Sequence, residues 1–180
     1  MNRHIKLNAD ESAFFVSLIQ TKIVEKNDFL LREGQVCKAV TFVNYGCLRS
    51  YYEDDSGTHI IQFAGTNWWI GDLKSYVQGI PAQLYIDALK KTEVFQISKL
   101  NMKVLYERIH KFERFFRLQM ENALISHQDR ILQSQTFKTK TRYENFVKTY
   151  PDFHKLIPLK DIANYLGVTP EHLSAVRAKK

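Results

Sequence analysis

The sequence predicts an α+β chain: an N-terminal β jelly roll, then one long helix, then a helical C-terminal part ending in a helix-turn-helix. Three observations carry this reading. Six of the seven glycines fall between Gly34 and Gly79, and glycine marks turns and strand connections. After Ser98 the apolar residues leave short β-prone runs and recur at helical spacing. The charge divides at the same place: residues 1–98 hold 10 Lys+Arg against 11 Asp+Glu, and residues 99–180 hold 16 against 8. The boundaries that follow are 1–110 for the jelly roll, 111–136 for the long helix and 137–180 for the helix-turn-helix part.

A helix from about Glu11 to Gln20 opens the chain. Phe29–Leu31, Ala39–Val43, Cys47–Tyr52, Thr58–Phe63, Leu84–Leu89 and Glu93–Ile97 read as strands, rich in β-branched and aromatic residues. Asn44-Tyr-Gly46 and Asp54-Asp-Ser-Gly57 read as the turns between them. Six to eight short strands at this spacing suit a sandwich or jelly roll. Ser98 can cap a helix to about His110.

From Lys111 to about Gln135 there is neither Gly nor Pro, and Phe112, Phe116, Met120, Ala123, Leu124, Ile131 and Leu132 recur at helical spacing. Such a helix is about 35–40 Å long. No later domain is large enough to cover so long a stripe. The expectation is a homodimer through Phe112, Phe116, Met120, Ala123, Leu124 and Ile131, the alternative being that the stripe packs only on its own β domain. Lys138 to Tyr150 is a further amphipathic helix with Tyr143, Phe146 and Val147 inward, ended by Pro151.

Pro158 then opens the helix-turn-helix. Ile162, Leu166, Val168, Leu173 and Val176 are spaced to join two short helices over a small core, and Ala163 is small where they approach. Gly167 sits at the turn, where a positive φ is cheap only without a Cβ. Thr169 suits the N-cap of the second helix and Pro170 its first position. An apolar pattern alone fits an ordinary αα-hairpin; the Ala, Gly and Thr-Pro together point to a module whose second helix enters the DNA major groove. The positive excess in the same half suits a polyanion. On the second helix, Leu173, Val176 and Lys180 face the partner helix, and Glu171, Ser174, Ala175 and Ala178 face outward, flanked by His172 and Arg177. Glu171 can accept from cytosine N4 and Ser174 can donate or accept. Thr169 and the helix N-terminus suit a backbone phosphate, as do Arg177 and Lys179.

Composition narrows the class. No run of ~18 apolar residues predicts a membrane span, and Met1 to Asp10 lacks the apolar core of a signal peptide, so the expected location is the cytoplasm. Cys37 and Cys47 form a lone C-x9-C pair in strand-like text, a poor metal or iron–sulfur signature. His4, His59, His110, His127, His154 and His172 are scattered, so no metal site is expected. No nucleophile elbow, phosphate-binding glycine loop or paired-carboxylate motif appears, and no enzymatic activity is expected.

Several motifs occur in order along the chain. In the β half these are Gly34 in Leu31-Arg-Glu-Gly-Gln35, Gly46 in Tyr45-Gly-Cys-Leu-Arg49, Ile70-Gly-Asp-Leu73, the Asp87-Ala88 strand and the Ile97-Ser98 step from strand to helix. Later come Arg142-Tyr-Glu-Asn-Phe-Val-Lys-Thr-Tyr-Pro151 and Ile162-Ala-x-Tyr-Leu-Gly-Val-Thr-Pro-Glu-His-Leu-Ser174. Over nearly its whole length the chain resembles the Crp/Fnr family of transcription regulators, and the later motifs look like a subgroup common in Bacteroidetes.

The resemblance implies a cyclic-nucleotide-binding-like jelly roll that senses an effector, a dimerisation helix, and a winged-helix-like DNA-binding part truncated at Lys180. It implies double-stranded operator DNA, a second copy of the chain and RNA polymerase as partners. The effector pocket is expected at Gly71, Asp72, Leu73, Lys74, Ala82 and Gln83. In the family's phosphate cassette an acid holds the ribose hydroxyl and an Arg-Ser pair about ten residues on holds the cyclic phosphate. Here Asp72 stands at the acid, but Ala82 and Gln83 fall where the Arg and Ser belong. A cyclic phosphate loses its charge-assisted partner, and Lys74 would replace it only as a point charge. Tight binding of cyclic AMP or cyclic GMP is therefore not expected; the pocket holds another small-molecule effector or none. The oxygen sensors of the family hold an iron–sulfur cluster through N-terminal cysteines; the first 36 residues have no Cys, so neither that cluster nor haem is expected. Ala175 stands where the family usually has an Arg. The competing reading is a degenerate sensor or adaptor with weak or no specific DNA binding.

Overall fold

A computed structural model describes residues 5–151 and 155–178. The chain opens with helix α1 (Ala9–Ser17), where Asn8 and Glu11 form a reciprocal capping box. Strands β1 (Gln20–Val24), β2 (Phe29–Leu31), β3 (Ala39–Asp54), β4 (Gly57–Gly65) and β5 (Trp69–Ile70) follow, then the short helix α2 (Leu73–Gln78) and strand β6 (Tyr85–Ser98). Helices α3 (Lys99–Arg108), α4 (Lys111–Thr136), α5 (Thr139–Thr149), α6 (Leu159–Tyr165) and α7 (Pro170–Ala178) complete it. The strands form one antiparallel sheet in the order β1-β6-β3-β4, with β2 on β6 and β5 on β3. This antiparallel order is compatible with the expected jelly roll.

One of the two expected turns is not a turn, and two pairs of expected strands are each a single strand. Ala39–Val43 and Cys47–Tyr52 belong to one strand, β3, and Leu84–Leu89 and Glu93–Ile97 to another, β6. Asn44-Tyr-Gly46 is a break in register inside the β3–β6 ladder. Gly46 takes φ +115°, and a Cβ there would lie 2.3 Å from Thr92 Oγ1, so glycine serves a bulge and a close approach rather than a reversal. Asp54 to Gly57 does reverse the chain, joining β3 to β4. The first helix ends at Ser17 rather than Gln20, because Gln20 begins β1 against Gln96.

Three apolar clusters organise the molecule. One fills the roll, with Val43, Leu48, Ala64, Ile86 and Val94 at its centre. A second joins the roll to α1, α3 and the start of α4 through Ile97, Leu105, Phe112, Phe115 and Phe116. The third runs from the sheet into the C-terminal helices, with Tyr51, Ile60 and Phe63 against Phe146, Tyr150, Ile162, Ala163 and Leu173. Among the described residues no helix is long and apolar enough to cross a membrane.

The long helix has 26 residues, about 39 Å at ~1.5 Å per residue. Its apolar stripe does not behave uniformly, and the six residues expected at a dimer interface divide into two groups. Phe112 and Phe116 are buried in the chain's own core, where Phe112 stacks on Phe15 at 4.7 Å and Phe116 meets Trp69 at 5.2 Å. A ring already covered by its own chain has no surface left for a second copy. Met120, Ala123, Leu124 and Ile131 are exposed, with Leu124 60% accessible.

Candidate functional site

The helix-turn-helix is built as its sequence requires. Helix α6 ends in a paired turn: Val168 N donates to Ala163 O at 3.0 Å and Gly167 N to Asn164 O at 2.9 Å. Gly167 takes φ +66° at the left-handed position of that turn. Thr169 Oγ1 then accepts from His172 N at 3.2 Å, the N-cap bond of α7. Leu173 is fully buried between the helices. Thr169, Glu171, Ser174, Ala175 and Ala178 are exposed, so the face they share is open to a partner. His172 and Arg177 lean toward α5: His172 Nε2 lies 3.1 Å from Thr139 Oγ1, and the Arg177 guanidinium sits 5.6 Å from the Tyr143 ring centre. Both remain exposed. Lys179 and Lys180 lie outside the described residues.

The expected effector cassette is compact and internally bonded. Asp72 is buried and caps α2: its Oδ1 accepts from Ser75 N at 2.9 Å and its Oδ2 from Gln83 N at 3.1 Å. Both carboxylate oxygens that were expected to meet a ligand hydroxyl are thus engaged within the chain. Ser75 Oγ donates to Ile80 O and accepts from Cys37 N, closing the loop behind it. Ala82 is 3% accessible; its N–H donates to Gln35 O and its carbonyl accepts from Gly34 N. Leu73, Lys74 and Gln83 are exposed at the rim, and Lys74 Nζ reaches Gln83 Oε1 at 3.5 Å. Gly71 is half-buried, with the Cys37 sulfur 3.9 Å from where a Cβ would stand. Burial pushes the Cys37 thiol up, and pushes the Cys47 thiol up to about 12. Neither is therefore a ready thiolate. Among the described residues no group of three His, Cys, Asp or Glu lies together as a metal site.

A cavity of about 290 Å³ lies away from this cassette, between α4 and the turn carrying Trp68 and Trp69. Gln62, His127, Arg130 and Tyr165 also line it. Arg130 Nη1 donates to Ile61 O at 2.5 Å and its guanidinium lies 5.0 Å from the Tyr165 ring centre.

The junction between the sheet and the helix-turn-helix contains residues that sequence reasoning missed. Arg49 on β3 donates through Nε and Nη2 to both oxygens of Asp87, at 2.8 and 2.9 Å. Its Nη1 donates to Asp161 Oδ2 on α6 at 2.6 Å. Asp87 and Asp161 are both buried. The Asp87 hydrogen bonds outweigh burial and hold Arg49 firmly in its charged form. A partial signal existed: Arg49 sits in the Tyr45–Arg49 motif and Asp87 in the Asp87-Ala88 strand. Nothing in the spacing pointed to Asp161.

Comparison with known proteins agrees with this architecture. Residues 21–108 match the family model of the cyclic nucleotide-binding domain. FixK2 from Bradyrhizobium japonicum superposes with a TM-score of 0.75 at 18% identity, over 89% of this chain and 83% of that one. The c-di-GMP-responsive regulator CLP from Xanthomonas campestris gives 0.73 at 12%, over 96% and 91%. A protein from Eubacterium rectale assigned to the Crp/Fnr family gives 0.71 at 19%, over 94% and 82%. The chain has the Crp/Fnr fold. No curated protein matches it in sequence. Within the Crp/Fnr fold, the matched segment ends with α3, and α4 and the helix-turn-helix lie beyond it.

Proposed function

We propose that this chain is a homodimeric, DNA-binding transcription regulator of the Crp/Fnr type and not an enzyme. In this reading residues 1–110 sense an effector, 111–136 dimerise and 137–180 bind operator DNA in the cytoplasm, with RNA polymerase as the further partner. The observation that carries it is the open outer face of α7. A capped recognition helix with its apolar side buried and Glu171, Ser174, Ala175 and Ala178 exposed is arranged to enter a major groove. Glu171 and Ser174 read base edges. Thr169, Arg177 and Lys179 meet phosphates, and His172 borders both. The net charge of +7 adds attraction that depends on salt rather than sequence.

The cassette supports a narrower statement. Asp72 spends its oxygens on Ser75 and Gln83, and Ala82 offers no cation. A cyclic phosphate would meet no guanidinium there, so cyclic AMP and cyclic GMP are not tight ligands. Isothermal titration should show no binding at micromolar concentrations of either; a micromolar Kd overturns this point.

Mobility shift with double-stranded promoter DNA tests the main reading. A specific complex should form, and its affinity should fall steeply between about 50 and 200 mM salt, as counterion release requires. Glu171→Ala should flatten the preference among sequences while keeping much of the salt-dependent affinity. No shift at either salt concentration would leave the chain as a sensor or adaptor, the reading that Ala175 and Ala178 on the outer face favour.

A further inference from the structure

We propose that Arg49, Asp161 and Asn164 form a clamp that sets the angle of the DNA-reading head on the sensor sheet, and so fixes the half-site spacing the dimer accepts. The inference rests on the DNA-binding reading and deepens it. These are positioning residues, none of which meets DNA.

The clamp has two parts, both on α6. Asp87 grips Arg49 through two parallel hydrogen bonds and so orients the guanidinium plane. One edge of that plane is left, and Asp161 in the first turn of α6 takes it at 2.6 Å. One helical turn later Asn164 addresses β4, the edge strand of the sheet. Its Oδ1 accepts from Ile60 N at 2.5 Å and its Nδ2 donates to Thr58 O. A donor and an acceptor two residues apart are what an edge strand offers to a further strand. Here a single side-chain amide occupies both.

The covalent connection cannot set this angle. Helices α4 and α5 are joined by Phe137 and Lys138, both extended, with ψ of 145° and 151°. Torsions at these two residues can turn the head, and the side-chain bond that crosses the joint, Asn145 Nδ2 to Gln133 Oε1 at 3.0 Å, lies close to that pivot and leaves the far end of the head to other contacts. The apolar contacts of Phe63 with Phe146, Tyr150 and Tyr165 hold the head close, but apolar adhesion is non-directional. Hydrogen bonds at fixed geometry define one orientation. In a dimer, two heads reach half-sites about one DNA turn apart only if each is held at one angle.

Selection from a random 40-base-pair duplex library, with the dimeric full-length protein, tests this. The wild type should enrich two inverted half-sites at one spacing. Asn164→Ala combined with Asp161→Asn should enrich the same half-sites spread over several neighbouring spacings, losing at least tenfold of its preference for the wild-type spacing. Asn164→Ala alone, which leaves the buried ion cluster intact, should show a smaller spread and serves if the double variant does not fold. Arg49 is left in place because its loss would set two buried carboxylates against each other. Hydrogen exchange supplies a readout free of DNA: the Ile60 amide should exchange at least tenfold faster in Asn164→Ala. A variant that keeps a single spacing, or an unchanged Ile60 amide, overturns the clamp. A wild type that enriches no motif overturns the DNA-binding reading itself, and the clamp's role with it.

Discussion

The first third of α4 and the rest of it carry the same kind of apolar stripe and meet opposite surroundings. Phe112, Phe115 and Phe116 are locked into a cluster with α1, α3 and Trp69. Met120, Leu124, Ile125, Ile131 and Leu132 stand between 45% and 60% exposed. Helical spacing establishes that a face is apolar; it does not establish what covers it. The first segment is paid in full by its own chain, and only the second has surface to offer a twin. The largest effect therefore belongs to the first segment. Phe112→Ala removes a fully buried ring that stacks on Phe15, a change that costs ~3–5 kcal/mol. With a melting shift of about 2–4 °C per kcal/mol for a chain of this size, thermal unfolding should fall by roughly 6–20 °C. A drop of less than about 3 °C would mean that the two segments are not as different as their burial shows.

The second segment should respond in the opposite way. Leu124→Ala leaves the folded monomer nearly unchanged, because the side chain is 60% exposed there. In a dimer the same change forfeits up to ~1.5 kcal/mol of burial per protomer, at ~0.8 kcal/mol per buried carbon. Sedimentation at micromolar concentration should show the wild type as a dimer and Leu124→Ala shifted toward monomer, with Leu124→Glu fully monomeric. A wild type that is itself monomeric would leave the exposed stripe without the proposed partner.

The same distinction explains what was legible in the sequence. The helix-turn-helix was readable almost residue by residue because its signals are local: Gly167 at a left-handed turn, Thr169 as a cap, Leu173 inward. The jelly roll was readable as a class, but its two long strands were each divided, because Asn44-Tyr-Gly46 has turn composition and Thr92, which makes it a bulge and bonds Cys47 from 45 residues away, lies far along the chain. In the candidate site, Asp72 was found by its place in a motif. Its two internal hydrogen bonds were not, since one of them comes from Gln83, 11 residues on. The Arg49–Asp161 pair spans 112 residues and leaves no periodic trace. Features set by neighbours in the chain can be read from spacing; features set by partners brought together by the fold cannot.

The smallest expected effect sharpens the contrast within the exposed segment. His127 lies on α4 beside Arg130, at the wall of the cavity under Trp68 and Trp69. Desolvation first, and the Arg130 charge second, lower its pKa from the ordinary 6.5. A histidine whose pKa is lower folded than unfolded binds fewer protons in the folded state, so folding stability falls as the pH drops through 6.5 toward the folded value. The loss is complete only below the folded pKa, and above 6.5 the group contributes none. Melting between pH 8 and pH 5.5 should therefore show a modest acid destabilisation that His127→Gln reduces, since the amide keeps the polarity without the proton. The effect should be far smaller than that of Phe112→Ala, because the ring retains contact with water. An equal acid destabilisation in both proteins would assign it to other groups and place His127 in ordinary solvent.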